Sequence, residues 1–571
     1  MKLPHPLRAL SERPLRLPRF RPYVPHPDDP PIFWFDSERK DIVREVVQRV
    51  VHRHTADRRR MELVLNETAL AEIRRLESQR DTESRERLPQ WRSLARRIAR
   101  LSDVEKRDTV REIVTRYAED VAGNFDPRVY SFSKQAVPKL LAGVMAPSRL
   151  PEELIGETLI GELLRVEGDI DLLRRLQAKG TIVYVPTHSS NLDSVVIGRA
   201  FEQVGLSPVV YGAGKNLFTN PFLSFFMHNL GAYRVDRRVS AAVYKEVLKT
   251  FSQVMIERGY HSLFFPGGTR SRSNLIESHL KLGLAGSAVS AFANNRVHGV
   301  DRNVYFVPAT INYELVLEGE TLVEDWLKEE GKARYIIEDD EFSRLDRWVT
   351  FFRKIVGMQA ACIIRFGAPL DCFGNPVDDE GHSTTPGGRS IDPGTYVERR
   401  GKPVNDGARD AAYTRELSDV LVDRYRQETV LMATSLVAHV LFRRLVRETP
   451  GLDLFARLRV RGEITMPREE LVAEVGALRD RLLELQAQNV VRINDAIATL
   501  DPRILVDRAL AVWNGYHTRV AAKVLGADVT AEDPTLLLYY QNRLVPFATR
   551  VVTCAEDEAA AAEIARIGGR R

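Results

Sequence analysis

Residues 181–193 read TIVYVPTHSSNLD, an apolar, β-branched run followed by a polar turn. The apolar run predicts a buried strand bounded by turn residues. We therefore expect His188 at the carboxyl end of a strand, where α/β sheets place their functional sites. Asn191 is expected to cap a helix that contains Asp193.

Similar short runs recur up to residue 367 and alternate with helical stretches, which predicts an α/β domain that we place at residues 151–372. The segment 240–259 has helical apolar spacing and ends at a glycine, as a crossover helix does. The other runs are PVVYGAG (208–214), GAYRVDR (231–237), SLFFPGG (262–268), NVYFVPATINY (303–313) and CIIRFG (362–367).

The flanking regions differ from this domain in composition. Charged helical patterns predict an N-terminal helical domain, and helical patterns return after a stretch rich in Gly, Pro, Asp and Ser. We divide the flanking regions into a flexible basic arm (1–40), an N-terminal helical domain (41–150), a Gly/Pro-rich loop or linker (373–409) and a C-terminal helical domain (410–571).

Two features of the C-terminal region predict helices. The apolar stretch 430–442 is too short to span a bilayer and contains His439, so we expect a buried core helix. A helix is expected to begin at Thr465, with Pro467 and Glu469 in its first turn.

Composition limits the class of protein. The chain has 571 residues, 44% of them hydrophobic and 28% charged, with a formal net charge of +5. This favours a soluble, multi-domain protein and gives no argument for nucleic-acid binding. The small basic excess fits an anionic substrate or membrane surface, and it fits an ordinary solvated surface equally well.

Cysteine usage and hydropathy favour the cytosolic side of a membrane. The three cysteines, Cys362, Cys372 and Cys554, have no ligand or redox spacing, so a reducing compartment is expected. No run of 18 apolar residues predicts a spanning helix, and the N-terminus lacks the apolar core of a secretory signal. Any membrane contact is therefore expected to be peripheral.

His188 and Asp193 are the first candidates for chemistry. A turn between them could bring the carboxylate onto one ring nitrogen, which fixes the tautomer and leaves the other nitrogen as a base. Such a pair can deprotonate an alcohol. The bare H-x-x-x-x-D pattern also arises by chance, and a lone histidine more often serves packing or a cap.

The run FFPGGTRSRS, residues 264–273, is typical of an oxyanion site. Glycines let backbone N–H groups approach a phosphate, and Arg270 and Arg272 add forked, charged donors, with Lys281 in reach of a loop. The alternative is a surface turn with solvated arginines. Arg234 and Arg237 could line an anionic site, although charged residues at a strand end are usually just exposed.

Other kinds of site are disfavoured. The histidines at 228, 261 and 279 are not at metal-ligand spacing, and we expect no metal and no cofactor. No serine near His188 lies in a G-x-S-x-G nucleophile elbow, and Gly212-x-Gly214-Lys215 lacks the length of a phosphate-binding P-loop.

In this order, the segments resemble the four blocks of the glycerolipid acyltransferase family, and the flanks resemble its glycerol-3-phosphate acyltransferase branch. The resemblance runs from about Val129 to Phe547 and implies an α/β acyltransferase domain with a mixed sheet flanked by helices. The C-terminal stretches at 436–438 and 538–542 look like the large enzymes of that branch. The four blocks are His188 to Asp193, then 213–217 with 231–237, then Gly268 to Arg272, then Val307 to Tyr313.

The resemblance also implies roles for individual residues. His188 would take the proton from the acceptor's primary hydroxyl while Asp193 orients it, and the oxygen would attack the thioester of acyl-CoA or acyl-carrier protein. Pro308 would shape the acyl or acceptor pocket. The residues implied to hold the phosphate are Arg237, Gly268, Arg270, Ser271, Arg272 and Lys281.

The sequence departs from the family pattern at two places. Block three usually has an acidic residue where this chain has Gly267, and block two often has consecutive basic residues where this chain has Asp236-Arg237. Rival interpretations are an acceptor such as dihydroxyacetone phosphate or a lysophospholipid, or an inactive homologue that serves as a membrane-associated scaffold.

The family works on membranes, and the resemblance implies a peripheral position on the cytoplasmic face of the cell membrane. The candidate contact is the apolar, aromatic segment Leu217 to Met227. A helix buried against the sheet is the competing interpretation.

Overall fold

The runs that predict strands form one eight-stranded sheet in the computed structural model. The structure describes residues 23–79, 82–134, 164–218, 221–330, 362–552 and 557–568. The order is β1-β7-β6-β2-β5-β3-β4, with β8 beside β6. Strand β6 runs antiparallel to β7 and β8, whereas the other pairings are parallel, so the expected mixed sheet is confirmed. The strands are β1 (Leu164–Glu167), β2 (Gly180–Pro186), β3 (Val210–Gly214), β4 (Ala232–Val235), β5 (Ser262–Leu263), β6 (Asn303–Tyr313), β7 (Cys362–Phe366) and β8 (Leu370–Asp371).

Helices flank the sheet and fill both ends of the described chain. The N-terminal helices are α1 (Phe35–Thr55), α2 (Arg58–Ser78), α3 (Thr82–Arg97) and α4 (Asp103–Val121). The helices between strands are α5 (Ile170–Lys179), α6 (Asp193–Gln203), α7 (Pro221–Asn229), α8 (Ala242–Glu257), α9 (Leu282–Val297) and α10 (Gly319–Glu330). The C-terminal helices are α11 (Gly407–Glu428), α12 (Ala433–Glu448), α13 (Leu454–Arg457), α14 (Arg468–Ala487), α15 (Asp495–Thr499), α16 (Pro502–Tyr516), α17 (Pro534–Gln541) and α18 (Glu558–Gly568).

Strand β2 separates two hydrophobic cores. Successive side chains of a strand point to opposite faces. Val183 and Val185 accordingly join a core with the C-terminal helices, whereas Ile182 and Tyr184 join a core with α5 and α6. All four are fully buried. A strand buried on both faces has a continuous apolar sequence, and this explains the run that predicted it.

The N-terminal helices pack on α8, the expected crossover helix. Their apolar faces share a core with α8 that includes Val46, Val114 and Val247. Helix α1 begins at Phe35, inside the segment predicted as an arm, because Ile32 and Phe35 are buried in this core. The predicted arm is therefore too long at its C-terminal end. Residues 1–22 and 135–163 lie outside the described residues.

The Gly/Pro-rich segment is a loop docked on the sheet domain. It contains two short antiparallel strand pairs, β9 with β10 and β11 with β12, and Val397 within it is fully buried. Phe373 stacks on Tyr396 at a ring-centroid distance of 4.7 Å and meets Phe292 of α9 edge-on. A few aromatic contacts thus hold a segment with little other apolar content. The four strands are β9 (Ser383–Thr384), β10 (Ser390–Ile391), β11 (Glu398–Arg399) and β12 (Lys402–Pro403).

The C-terminal helices share one continuous core with the sheet. Leu436 and Leu441 of α12 lie in the same buried cluster as Val183 and Phe306, so the boundary predicted near residue 410 does not separate two cores. The prediction that the 430–442 stretch contains a buried core helix is confirmed. Within the described ranges, no helix is long and apolar enough to cross a bilayer.

The predicted helix start at Thr465 is wrong. Thr465–Pro467 forms strand β14, which pairs with β17 (Asp528–Ala531), and α14 begins at Arg468. Pro467 occupies the N-cap position, where its missing N–H costs nothing. The small C-terminal strands are β13 (Val430–Leu431), β14 (Thr465–Pro467), β15 (Arg492–Ile493), β16 (Ala522–Leu525) and β17 (Asp528–Ala531).

Candidate active site

The segments with candidate residues meet at one edge of the sheet. Strands β2, β3, β4, β5 and β6 run in the same direction, so their carboxyl ends point to one side. His188 follows β2, Arg237 follows β4, Gly268 follows β5, and Tyr313 ends β6. The prediction that His188 lies beyond the end of a strand is confirmed.

His188 and Asp193 form a hydrogen-bonded pair. The ring Nδ1 of His188 lies 2.7 Å from Oδ2 of Asp193, and Asp193 is fully buried. The same oxygen accepts the backbone N–H groups of Ser189 at 2.7 Å and Ser190 at 3.0 Å. Three donors thus fix this carboxylate, which in turn fixes the imidazole through Nδ1.

Asn191 does not cap the helix, contrary to the sequence prediction. Leu192 occupies the N-cap position of α6, and Asp193 is the first helical residue. The Asp193 carboxylate accepts two N–H groups of the turn that precedes the helix, and no described side chain caps the first turn of α6. The backbone N–H of Asn191 donates to Oε1 of Glu318 at 2.9 Å.

The second ring nitrogen of His188 is available for chemistry. The ring stacks on Phe265 with a centroid distance of 4.2 Å, and the side chain is 16% exposed. Among the described residues, Nε2 has no hydrogen-bond partner. With Nδ1 held as the donor to Asp193, Nε2 is an acceptor that can take a proton from an alcohol.

Tyr313 completes the hydrogen bonding of Asp193. Its hydroxyl donates to Oδ1 of Asp193 at 2.7 Å, the oxygen that His188 does not use. Burial and the charge of Asp193 raise the pKa of Tyr313 well above its usual value, so the phenol stays protonated and remains a donor.

Several cations gather beside this pair. Burial and the nearby charge of Arg270 lower the pKa of Arg237, and Arg237 has no ion-pair partner within the described ranges. Gly268 has a φ of +74°, and a Cβ there would lie 2.4 Å from Cδ of Lys281. The Lys281 side chain therefore crosses directly over Gly268. This grouping can bind an oxyanion.

Three further residues of the 264–273 loop, Arg270, Ser271 and Arg272, form hydrogen bonds or ion pairs with other segments. Arg270 donates to Oε1 of Glu318 at 3.2 Å, and Glu318 also accepts the Ser190 hydroxyl at 2.8 Å. Ser271 donates its backbone N–H to the carbonyl of His188 at 2.7 Å, which ties the two loops together. Arg272 forms a surface ion pair with Glu329 at 2.7 Å, which directs it toward α10.

Pro308 lies within β6 rather than in a loop. It is buried, and its carbonyl accepts the N–H of Gly367 at 2.8 Å. Strands β8 and β7 pair with the same edge of β6, β8 at residues 305–306 and β7 from residue 309 onward. Pro308 therefore lies in the gap between these two strands. A missing N–H is tolerated at such a gap. Its predicted role in a pocket stays a prediction.

The C-terminal region contributes a residue to this edge. Arg543 is 7% exposed and donates to Oγ of Ser189 at 2.8 Å and to Oδ1 of Asn274 at 2.9 Å. Asn542 donates to the carbonyl of Ser273 at 2.8 Å. The loops that carry His188 and Arg270 are therefore both anchored to a segment far along the chain.

Sequence reasoning missed four of these residues. Tyr313 ended a quoted strand run without being singled out, and Arg543 directly follows the 538–542 stretch. Glu277, whose Oε1 accepts the backbone N–H of His188 at 3.0 Å, and Glu318 give no sequence signal, because their partners are distant in the sequence. Among the described residues, no group of three or more His, Cys, Asp and Glu side chains is placed to hold a metal ion.

The arrangement combines a base with an anion site. A buried carboxylate orients an imidazole whose other nitrogen is free, and unpaired cations lie on neighbouring loops of the same edge. Deprotonation of a hydroxyl on a phosphate-bearing molecule is the chemistry that these groups support.

Comparisons with known proteins agree with this chemistry. A family model described as Acyltransferase matches residues 168–312. A protein of Aeromonas hydrophila named glycerol-3-phosphate acyltransferase is 31% identical over 176 residues, 29% of this chain and 21% of the relative. Proteins of the same name from Pseudomonas aeruginosa and Histophilus somni are 26% identical over 214 residues (37% and 22%) and 30% identical over 155 residues (27% and 18%).

The matched region covers the sheet from β2 to β6 with the loops between these strands. It contains the His188–Asp193 pair, the 264–273 loop and most of β6. The chain matches about a fifth of the length of these curated relatives. Residues 168–312 therefore resemble an acyltransferase domain of the kind found in proteins named glycerol-3-phosphate acyltransferase.

Proposed function

We propose that this protein is a glycerol-3-phosphate 1-O-acyltransferase. It would transfer a fatty acyl group from acyl-CoA or acyl-carrier protein to glycerol 3-phosphate and so form lysophosphatidate in phospholipid synthesis. The observation that carries the proposal is the free Nε2 of a carboxylate-held His188 on the same sheet edge as Arg237, Arg270 and Lys281. The names of the relatives favour this acceptor.

The proposed reaction needs no acyl-enzyme intermediate. Nε2 of His188 takes the proton of the primary hydroxyl as that oxygen attacks the thioester carbonyl carbon. The tetrahedral intermediate then expels the thiolate, which takes the proton back from His188. Asp193 stabilises the imidazolium while the proton is held, and it keeps Nδ1 as the donor.

The acceptor's phosphate is assigned to the cations. Arg237 supplies forked donors, as do the N–H groups of Arg270 that Glu318 does not use, and Lys281 supplies a point charge above Gly268. We assign Arg272 and Ser271 a smaller part, since Arg272 pairs with Glu329 and the N–H of Ser271 is already bonded to His188.

The test is acyl transfer by the purified protein in lipid or detergent. Radiolabelled palmitate is supplied as palmitoyl-CoA, with glycerol 3-phosphate as the acceptor. We expect product that is lost in His188→Ala and kept in the matched control His279→Ala, an exposed histidine outside the proposed machinery. Normal transfer by His188→Ala would refute the mechanism.

Further arms of the test separate the competing proposals. Preference for dihydroxyacetone phosphate or a lysophospholipid would keep the mechanism and change the acceptor. Activity only with acyl-carrier protein would assign the donor. No transfer with any donor or acceptor would favour an inactive, membrane-associated scaffold.

We also propose that the protein binds peripherally to the cytoplasmic face of the cell membrane. Phe132 is 57% exposed and stacks on Phe226 of the 217–227 segment at 6.5 Å. Met227 in the same segment is buried, as the competing core-helix interpretation requires. The side chains of 216–217 and 219–223 lie outside the described residues.

Flotation with phosphatidylethanolamine–phosphatidylglycerol vesicles tests this membrane contact. We expect the wild type to float and Phe132→Ser to float less, since an exposed aromatic ring adds apolar area to insert. The control is Val104→Ser, an apolar residue on α4 that is 67% exposed. Equal flotation of both variants would remove Phe132 from the contact.

A further inference from the structure

Glu277 binds the backbone of the residue that carries the proposed base. Its Oε1 accepts the N–H of His188 at 3.0 Å. The preceding N–H, that of Thr187, still bonds to the carbonyl of Ala309 in β6. His188 is therefore the first residue beyond β2 whose N–H is no longer held by the sheet. Because a buried N–H without a partner is costly, this position needs an acceptor.

Gly267 leaves the space that Glu277 occupies. A Cβ built on Gly267 would lie 3.4 Å from Cγ of Glu277 and 3.7 Å from its Oε1. Gly267 does not have a positive φ, in contrast to Gly268 at +74°. Its backbone therefore does not require glycine. Gly268 is required by its conformation and by the Lys281 side chain above it. At position 267 a Cβ would make ordinary contacts with Glu277, and a longer side chain would enter the space that Glu277 occupies.

The Glu277 carboxyl is shielded from solvent and held among fixed groups. Its Oε2 is buried and has no hydrogen-bond partner among the described residues. Burial raises the pKa of Glu277, opposed by the charge of Arg543 and by the His188 N–H. Arg543 is itself fixed by Ser189 and Asn274. A group held this firmly can set the position of the chain that it binds.

We infer that Glu277 is the positioning residue for His188, and that position 277 supplies the acceptor because position 267 is a glycine. The inference rests on the proposed acyl transfer, because the position of His188 affects the reaction rate only if His188 is the base. Glu277 does not touch the reacting atoms. It acts by fixing the main chain from which the imidazole extends toward Asp193.

Exchanging the two positions tests the inference. Glu277→Ala removes the acceptor, and we expect kcat to fall about 10- to 100-fold, with little change in KM for glycerol 3-phosphate. Glu277→Gln keeps a carbonyl oxygen in place and is expected to retain most activity. Gly267→Glu alone should lower kcat, because two carboxyls would share one space.

The double variant Gly267→Glu/Glu277→Ala gives the decisive result. A glutamate at 267 can place its carboxylate where Oε1 of Glu277 now lies, since 3.7 Å is within its own reach. We expect kcat to recover at least 10-fold over Glu277→Ala. The matched control is Glu416→Ala, an exposed glutamate on α11. A double variant no better than Glu277→Ala would overturn the exchange of positions.

A chemical readout keeps this test separate from that of the proposed function. The rate at which diethylpyrocarbonate modifies His188, followed by mass spectrometry of the full chain, reports the exposure and hydrogen bonding of its ring without turnover. We expect this rate to rise several-fold in Glu277→Ala and to return toward the wild-type rate in the double variant. An unchanged rate in Glu277→Ala would overturn the inference even if the wild type transfers no acyl group.

Discussion

The hydroxyl of Tyr313 lies 2.7 Å from Oδ1 of Asp193, while His188 binds the other oxygen of the same carboxylate. Tyr313 ends β6 and Asp193 begins α6, so the sheet and the helix meet at this carboxylate. The histidine is thereby oriented by a group that the sheet itself holds in place.

Removing this hydroxyl should weaken catalysis without abolishing it. In Tyr313→Phe, Oδ1 loses its donor, but Oδ2 keeps its bonds to His188 and to two backbone N–H groups. A hydrogen bond to a charged group contributes about 1.5–3 kcal/mol, so we expect kcat/KM to fall about 10- to 100-fold. Steady-state kinetics of acyl transfer measure this, and wild-type kinetics would show that the bond is dispensable.

Arg237 and Arg272 should differ in their effect on acceptor binding. Arg237 has no ion-pair partner among the described residues, whereas Arg272 already pairs with Glu329 at the surface. We expect Arg237→Ala to raise KM for glycerol 3-phosphate at least 10-fold, because a charge-assisted contact with the phosphate is lost. Arg272→Ala is expected to raise it less than threefold.

The same pair of variants contains its own control. KM for the acyl donor should change little in both, since the assigned contact is to the acceptor's phosphate. A larger effect of Arg272→Ala than of Arg237→Ala would place the phosphate nearer α10 than we propose.

Local patterns predicted the strands and the catalytic pair. The continuous apolar run of β2 reflects burial on both faces, and the position of His188 after it follows from the topology of parallel strands. The prediction that Asp193 reaches the His188 ring required a turn between the two residues, and the chain makes this turn. These features depend on residues close together in the sequence.

Contacts between distant segments were not predictable. Thr465 and Pro467 look like a helix start, but pairing with β17, about sixty residues later, draws them into a strand. The acceptor for the His188 N–H comes from Glu277, and Ser189 binds Arg543 across 354 residues. Such partners are set by tertiary packing, which no local pattern records.

Arg543 should be required for an ordered active-site edge. Its guanidinium joins Ser189 to Asn274 in a buried position through two separate nitrogens, whereas a lysine has a single donor nitrogen. We expect Arg543→Ala to lower the thermal midpoint by several degrees and activity at least 10-fold. Arg543→Lys should recover stability only in part.

An exposed arginine gives the comparison for this prediction. Arg400 lies on an exposed turn of the 373–409 loop, and Arg400→Ala is expected to leave both the thermal midpoint and the activity unchanged. Full activity of Arg543→Ala would mean that the C-terminal segment does not organise the site.

Buried histidines should make the fold sensitive to acid. Burial lowers the pKa of His261 to about 4, and its Nδ1 accepts the N–H of Ile182 in β2. The unfolded chain, with a histidine pKa of about 6.5, binds this proton first, so stability is complete above about pH 6.5 and falls as the pH drops toward 4. The loss for His261 is about 3 kcal/mol over that range. Burial likewise lowers the pKa of His439 to about 3 and of His517 to about 4, with the same sign.

Urea denaturation at pH 7, 6 and 5 measures this dependence. The urea midpoint should decrease steadily from pH 7 to pH 5. His261→Asn should make the free energy of unfolding depend less steeply on pH, because an amide oxygen can accept the Ile182 N–H without titrating. Near pH 5, the wild type should take up nearly one proton more on unfolding than His261→Asn does. This corresponds to a difference of about 1.4 kcal/mol per pH unit in the slope of the free energy of unfolding. An identical slope in His261→Asn would mean that His261 titrates normally and that the β2 contact does not hold it neutral.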